Sequence, residues 1–348
     1  MRWKRRPEGS NWGDFGADDQ LGRLNWLTPE KVRLAANEIK EGLTFCLSLP
    51  LDFPGGTVLN PRRKPPVLAP TERDGLMYTN FPLAYSTPGV VDVLSDDKVE
   101  LSLQYSTQWD ALGHVGALFD ADADGLPERV YYNGFRANRD IEGLMDYDEK
   151  EGFKKSLTGL VQPRAKALDI TQLATKGMQG RGVLVDLAAH YGRVHKNVGY
   201  DDLMRVLEAD KVEIEKGDFF VLHTEFAQCL LEMNRQPDAQ KVHQLCTTLD
   251  GSDEKLLQWI TDSGIVAIAA DNYAVESYPA NCPNVCCAVL PLHHHCLFKL
   301  GLPLAELWYL TPLARWLRQH QRNRFFLTAP PLNLPGAVGS PVTPVATV

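Results

Sequence analysis

The sequence predicts an α/β fold. Three observations carry that expectation: short apolar runs of strand character, amphipathic segments of helical spacing between them, and the lack of any repeat or low-complexity linker. At 348 residues the chain can bury a substantial core, and without a linker it is expected to form a single domain over 1–348.

Residues 1–27 are rich in Gly, Asp and Trp and are expected to be an irregular N-terminal arm over the core. Thr28-Pro29-Glu30 opens a helix with a hydroxyl cap, a proline in the first turn and an acid at the positive end. Val32, Ala35, Ala36 and Ile39 give its apolar stripe, and Gly42 ends it. Residues 43–51 alternate as a strand. The Pro- and Gly-rich stretch 54–90 is expected to be a long ordered loop of the kind that covers a site. Residues 99–105 alternate again and should be a strand leading into the segment discussed below. Asp120, Asp122, Asp124 and Gly125 imitate the start of a calcium loop. No glutamate follows at the required distance, so 119–130 reads as a solvated insertion. Residues 182–187, 219–224 and 265–270 are short apolar runs expected to be buried strands. Residues 200–209 and 252–261 are amphipathic helices, and 303–310 and 311–320 read as two more. The tail from 329 is Pro-rich and uncharged, and is expected to be extended, packing on a neighbour or fraying.

Hydrophobic residues make up 44% and charged residues 23%, ordinary globular values. A net charge of −8 argues against a nucleic-acid partner. No apolar run approaches the length of a membrane helix. The basic start is followed by a polar stretch rather than a secretory core, so a cytoplasmic location is expected. Seven scattered cysteines, an odd number, suit reduced thiols.

The segment Ser106 to His114 concentrates chemistry. Gln104, Gln108 and Asp110 are spaced by even numbers, so a strand would point them to one side, and a helix from Asp110 would bring His114 one turn along. Asp can hold a metal or orient a base, and His can bind a metal or carry protons near neutral pH. A second cluster, His293-His294-His295-Cys296, precedes Glu306; one of these histidines with Glu306 could ligate a metal. A rival reading joins Cys282, Cys286 and Cys287 to the histidines as a structural zinc site. Motifs for a serine hydrolase, zincin, kinase or NAD enzyme are missing.

Several segments, in order, resemble the cyclase family of metal-dependent hydrolases, whose best-described branch is bacterial kynurenine formamidase; the chain looks like its longer branch. They are 12–22 with Leu24-Asn25, 107–114, 132–134, 181–186, 217–224, Asp271-Asn272 with Glu276, 294–297 and 306–308. The resemblance implies a swivelling β/β/α fold with a central barrel-like mixed sheet flanked by helices, in dimers or tetramers. Short members carry H-x-G-T-H-x-D-x-P-x-H. Laid on this chain, the motif places Gln104 and Gln108 at its first two histidines, Asp110 at its aspartate and His114 at its last histidine, the family's proton-transfer residue. The later family ligands fall on His294 and Glu306. The implied metal set is thus Asp110, His294 and Glu306, with Gln104 and Gln108 as weak ligands, for one divalent ion (manganese, zinc or magnesium) rather than two. His114 is then the general acid/base and Gln108 a donor to the developing oxyanion, worth roughly 2–4 kcal/mol. Trp109, Trp12 and His223 are candidate substrate contacts. The expected activity is hydrolysis of an amide, cyclic amide or lactone of a small molecule. The two glutamines keep an alternative open: a metal-free descendant acting as an isomerase or cyclase, or binding a ligand.

Overall fold

The computed structural model describes residues 1–148, 152–155, 162–280 and 288–348. Its frame is a curled nine-stranded mixed sheet. The strands are β1 (Thr44–Cys46), β2 (Gln108–Asp110), β3 (Gln179–Asp186), β4 (Phe219–His223), β5 (Ala267–Ala270), β6 (Leu304–Glu306), β7 (Arg324–Thr328), β8 (Gly339–Pro341) and β9 (Val345–Thr347). They lie in the order β1-β9-β7-β3-β4-β5-β6-β2-β8. β3 to β6 run parallel at the centre, and the pairings outside them are antiparallel. Every residue of β4 and β5 is buried, as continuous apolar runs in a parallel sheet must be.

Side chains alternate across a strand, so the sheet separates two cores. Val183, Val185, Phe220, Leu222, Ile268 and Leu304 face one. Helices α2 (Tyr200–Ala209) and α3 (Glu254–Ser263) cover it with Leu203, Val206, Leu256 and Ile260. Leu184, Phe219, Val221, Ala269, Ala305 and Trp109 face the other, covered by Leu313, Ala314 and Leu317 of a helix spanning Thr311–Gln319. The helix α1 (Pro29–Ala35) begins as its sequence requires, Thr28 accepting from the Lys31 amide at 3.3 Å.

Three expectations are corrected and one open alternative is decided. Residues 303–310 are not a helix: 304–306 form β6, held between β5 and β2. Leu, Ala and Glu are good helix formers, but pairing on both edges overrides a preference of a few tenths of a kcal/mol per residue, roughly. Of the two outcomes left open for the extended tail, it packs rather than frays: it supplies β8 and β9, and its last residue is fully buried. The 54–90 stretch is not all loop. Val67–Pro70 pairs with Asp97–Glu100, and two shorter ladders stand within that arm. The strand expected at 99–105 therefore stops at 100, and the chain turns before β2 begins. Among the described residues no helix is long and apolar enough to cross a membrane. The rival zinc reading falls on Cys282, Cys286 and Cys287, outside the described residues.

Candidate metal centre

β2 and β6 are antiparallel neighbours, with Gln108 opposite Glu306 and Asp110 opposite Leu304. Trp109 and Ala305 turn to the second core, so Gln108, Asp110 and Glu306 all face the first. The even spacing of Gln108 and Asp110 thus becomes one polar face on one strand, whereas Gln104 lies in the turn before it. A turn rather than a helix follows Asp110, the His114 amide bonding Ala111 O at 2.9 Å, and still returns His114 Nε2 to 3.7 Å from Asp110 Oδ1.

The histidine comes from α4 (Pro291–His293), which continues into a wider helical turn over His294–Leu300. His293 Nε2 lies 3.4 Å from Glu306 Oε1 and 3.9 Å from Asp110 Oδ2. Glu276 fixes this ring. Its carboxylate accepts from the amides of Leu292 (2.8 Å) and His293 (2.9 Å) and lies 2.8 Å from His293 Nδ1. A carboxylate behind one imidazole nitrogen orients the other toward a metal and raises its basicity. Asp110, His293 and Glu306 each present a ligand atom, all within 4.8 Å of one another, and all three are buried.

His293 stands where the resemblance placed His294. Successive helical residues point about 100° apart, and Glu276 has captured the first of the three. His294 instead packs on the Phe298 ring, centroids 4.9 Å apart, and burial pushes its pKa down to about 4. His295 Nε2 is 2.9 Å from Thr261 Oγ1.

Both oxygens of the Asp110 carboxylate are buried without a hydrogen-bond partner, as is Gln108 Oε1. A buried carboxylate left so costs several kcal/mol, roughly, unless a cation or proton meets it. Burial, and then the Glu306 charge, raises its pKa, although His114 and His293 pull the other way. For Glu306 burial works upward too, but His293 and the Arg63 guanidinium hold it below its usual value. Burial lowers His293, and the carboxylates of Glu276 and Glu306 outweigh it, bringing the imidazole up to about 10. The charges are those of a cation site: two carboxylates and an oriented imidazole, with Gln108 Oε1 beside them. The donor set therefore fits a divalent metal.

A cavity of about 350 Å³ opens over this group, lined by His114, Gln104, His293, Glu306, Arg63 and Tyr273 among others. That volume suits a small organic molecule. Residues 54–63 of the expected covering loop do line it, whereas Trp109, Trp12 and His223 do not. Trp109 is fully buried, bonds Ala329 O at 2.8 Å through Nε1 and packs edge-on against Trp308. Trp12 bonds Phe298 O at 2.8 Å and packs edge-on against the Phe298 ring. His223 is locked between Asp186 (2.7 Å) and Thr311 Oγ1 (3.1 Å). All three belong to the core. Sequence reasoning gave no role to Glu276 or Arg63, since neither stands at a diagnostic spacing from the other groups.

The family model described as "Putative cyclase" matches residues 47–277. The chain is similar to a solved structure of a novel cyclase, with 29% identity, 97% of this chain and 99% of that chain covered, and a TM-score of 0.74. It is also similar to isatin hydrolase A from Labrenzia aggregata bound to benzyl benzoate, with 13% identity, 90% and 96% coverage and a TM-score of 0.53. An isatin hydrolase bound to the product analogue thioisatinate is similar at 12% identity, with 91% and 95% coverage and a TM-score of 0.52. At such identities the isatin hydrolase likenesses show a common fold. No curated protein matches the sequence.

Proposed function

This chain belongs to the cyclase family, and from that premise we propose that it is a metal-dependent hydrolase that opens an amide, cyclic amide or lactone of a small organic molecule. Asp110, His293 and Glu306 would hold one divalent ion, with Gln108 Oε1 as a weak further donor. When bound, such an ion supplies Lewis acidity and a lowered pKa for water at the site. The observation that carries the reading is the Asp110 carboxylate, fully buried with neither oxygen hydrogen-bonded. The isatin hydrolases that share the fold act, by their names, on a cyclic amide, which agrees with the reaction class.

His114 is the proton carrier. It lines the cavity with Nε2 beside Asp110 but outside the ligand group, where it can take a proton from the attacking water and return it to the leaving nitrogen or oxygen. Gln108 Nε2 donates to Glu306 Oε2 at 3.2 Å, which holds that carboxylate in place. One of its two N–H groups is engaged there, and orienting Glu306 is the role we give Gln108.

The test is elemental analysis of protein purified without chelator, followed by a hydrolysis screen of N-formyl amides, cyclic imides and lactones. We expect a stoichiometric divalent ion and turnover of one of these classes. His114→Ala should keep the ion and lose about 100- to 10,000-fold in kcat, the span of general acid–base catalysis. Protein that neither holds nor takes up a divalent ion would sink this reading. It would leave the metal-free isomerase or ligand-binding alternative, which Gln104 and Gln108 at the family's histidine positions favour.

A further inference from the structure

Two charged side chains of the cavity, Arg62 and Arg63, take no part in the proposed hydrolysis. Arg63 projects from the covering loop, its side chain 26% exposed, with a guanidinium nitrogen 3.9 Å from Glu306 Oε2. That distance is beyond hydrogen bonding. Glu306 is already engaged by Gln108 Nε2 at 3.2 Å and His293 Nε2 at 3.4 Å. Among the described residues no acceptor takes any Arg63 side-chain N–H. The cation is three-quarters buried and lies in ion-pair range of Glu306, yet among the described residues its five N–H donors have no hydrogen-bond acceptor.

The loop holds Arg63 in place. Asn60 Oδ1 accepts from the Arg62 amide and Asn60 O from the Arg63 amide, both at 3.1 Å. The Lys64 amide donates to Ser102 Oγ at 2.9 Å. Upstream, the Gly55 amide donates to Tyr105 Oη at 3.0 Å, and that hydroxyl donates to Gly56 O at 2.9 Å. The guanidinium is carried on a backbone pinned on either side of it.

The charges then select a class of ligand. Glu306 is the sole carboxylate lining the cavity among the described residues, and Asp110 lies buried behind it. A divalent ion between those two cancels them, and Glu276 faces His293. Arg63 and the exposed Arg62, which also lines the cavity and has no ion-pair partner among the described residues, remain. The loaded cavity is positive. A planar guanidinium fork matches a carboxylate in a bidentate way.

We propose that the cavity takes a small organic substrate bearing a carboxylate, gripped by Arg63, with Arg62 adding charge at the outer edge. The proposal rests on the hydrolase reading of the same site, because it assumes that the two carboxylates are offset by an ion.

The test is calorimetric binding of benzoate, phenylacetate and pyruvate, each against its neutral amide, to manganese-loaded protein and to the Arg63→Gln and Arg63→Lys variants. Metal content is measured on every sample. We expect at least one carboxylate to bind more tightly than its amide, and Arg63→Gln to weaken it about 10- to 100-fold, the worth of a hydrogen bond to a charged group. Arg63→Lys should retain part of the affinity, and amide binding should not change. Equal carboxylate affinity in native and Arg63→Gln protein with equal metal content would overturn the proposal while sparing the metal site. No preference for any carboxylate over its amide would overturn it as well. Arg63-dependent carboxylate binding in protein that takes up no manganese would support the anion site and count against the hydrolase reading alone.

Discussion

Asp110 concentrates the physical problem of the site: a carboxylate with no solvent exposure, both oxygens unbonded, and four titratable neighbours. Its arrangement makes sense when a cation completes it, and the side chain behind the histidine is what completes the histidine. Glu276→Gln keeps the shape but weakens the orienting bond to His293 Nδ1. We expect metal affinity to fall about 10- to 100-fold, the usual effect of losing an outer partner, read by calorimetric titration. An unchanged affinity would remove Glu276 from the site. A second buried pair sets a pH dependence away from the metal. Burial alone would lower His223, but the bond to Asp186 and the charge of Asp271 hold it above its usual value. Burial alone would raise Asp186, but His223 and Arg318 hold it below. The His223 contribution is present below the unfolded-state value of about 6.5 and is lost as pH rises through the higher folded value. That of Asp186 is present above about 3.9 and is lost as pH falls through the lower folded value. Asp186→Asn should therefore be less stable and show a smaller drop in Tm between about pH 6 and pH 9 than the native protein. An equal drop in both would place the dependence elsewhere.

Among the elements, β6 decides most. It contributes three residues, yet its pairing with β2 sets Glu306 beside Gln108, and Leu307 at φ 58° turns the chain away directly after it. The arm is seated by a similarly local device. Gly22, at φ 56°, lies against Gly301, at φ 57°, which ends the helical turn after His293. A Cβ on Gly22 would stand 2.1 Å from Gly301 O. Neither backbone can yield cheaply, and both conformations suit glycine. Gly22→Ala should lower stability by about 1–3 kcal/mol and loosen the helix that carries His293. Urea denaturation gives the first effect and manganese titration the second. A variant as stable as the native protein would mean that the arm can lift without consequence.

Over the whole molecule, the C-terminal strands close the sheet at both ends. β9 lies between β1 and β7, and β8 flanks β2, the strand that bears Asp110. Removing residues 338–348 exposes edges of three strands, β1, β7 and β2, the last of which bears Asp110. We expect a chain with no cooperative thermal transition by circular dichroism and no manganese binding. A cooperative melt close to the native one would show that the tail is dispensable. The tail is also where reading by composition stops short, since prolines and uncharged residues leave packing and fraying both open until the partners on either side are known.

Much of this was legible in advance. The apolar runs gave the parallel centre of the sheet, because a strand buried on both faces has to be continuously apolar. The spacing of Gln108 and Asp110 gave their common face, because side chains alternate along any strand. Three adjacent histidines could not be told apart in that way: each could face the metal, and a carboxylate sixteen residues before Leu292 in the chain chose His293. Glu306 was read as a candidate ligand but placed on the wrong kind of element, since strand pairing is a long-range property and helix preference a local one. The sequence by itself determined the class of fold and the common strand face of Gln108 and Asp110. The tertiary structure alone decided which histidine turns inward, that an arginine from a distant loop overhangs the site, and that the tail completes the sheet, because each depends on partners remote along the chain.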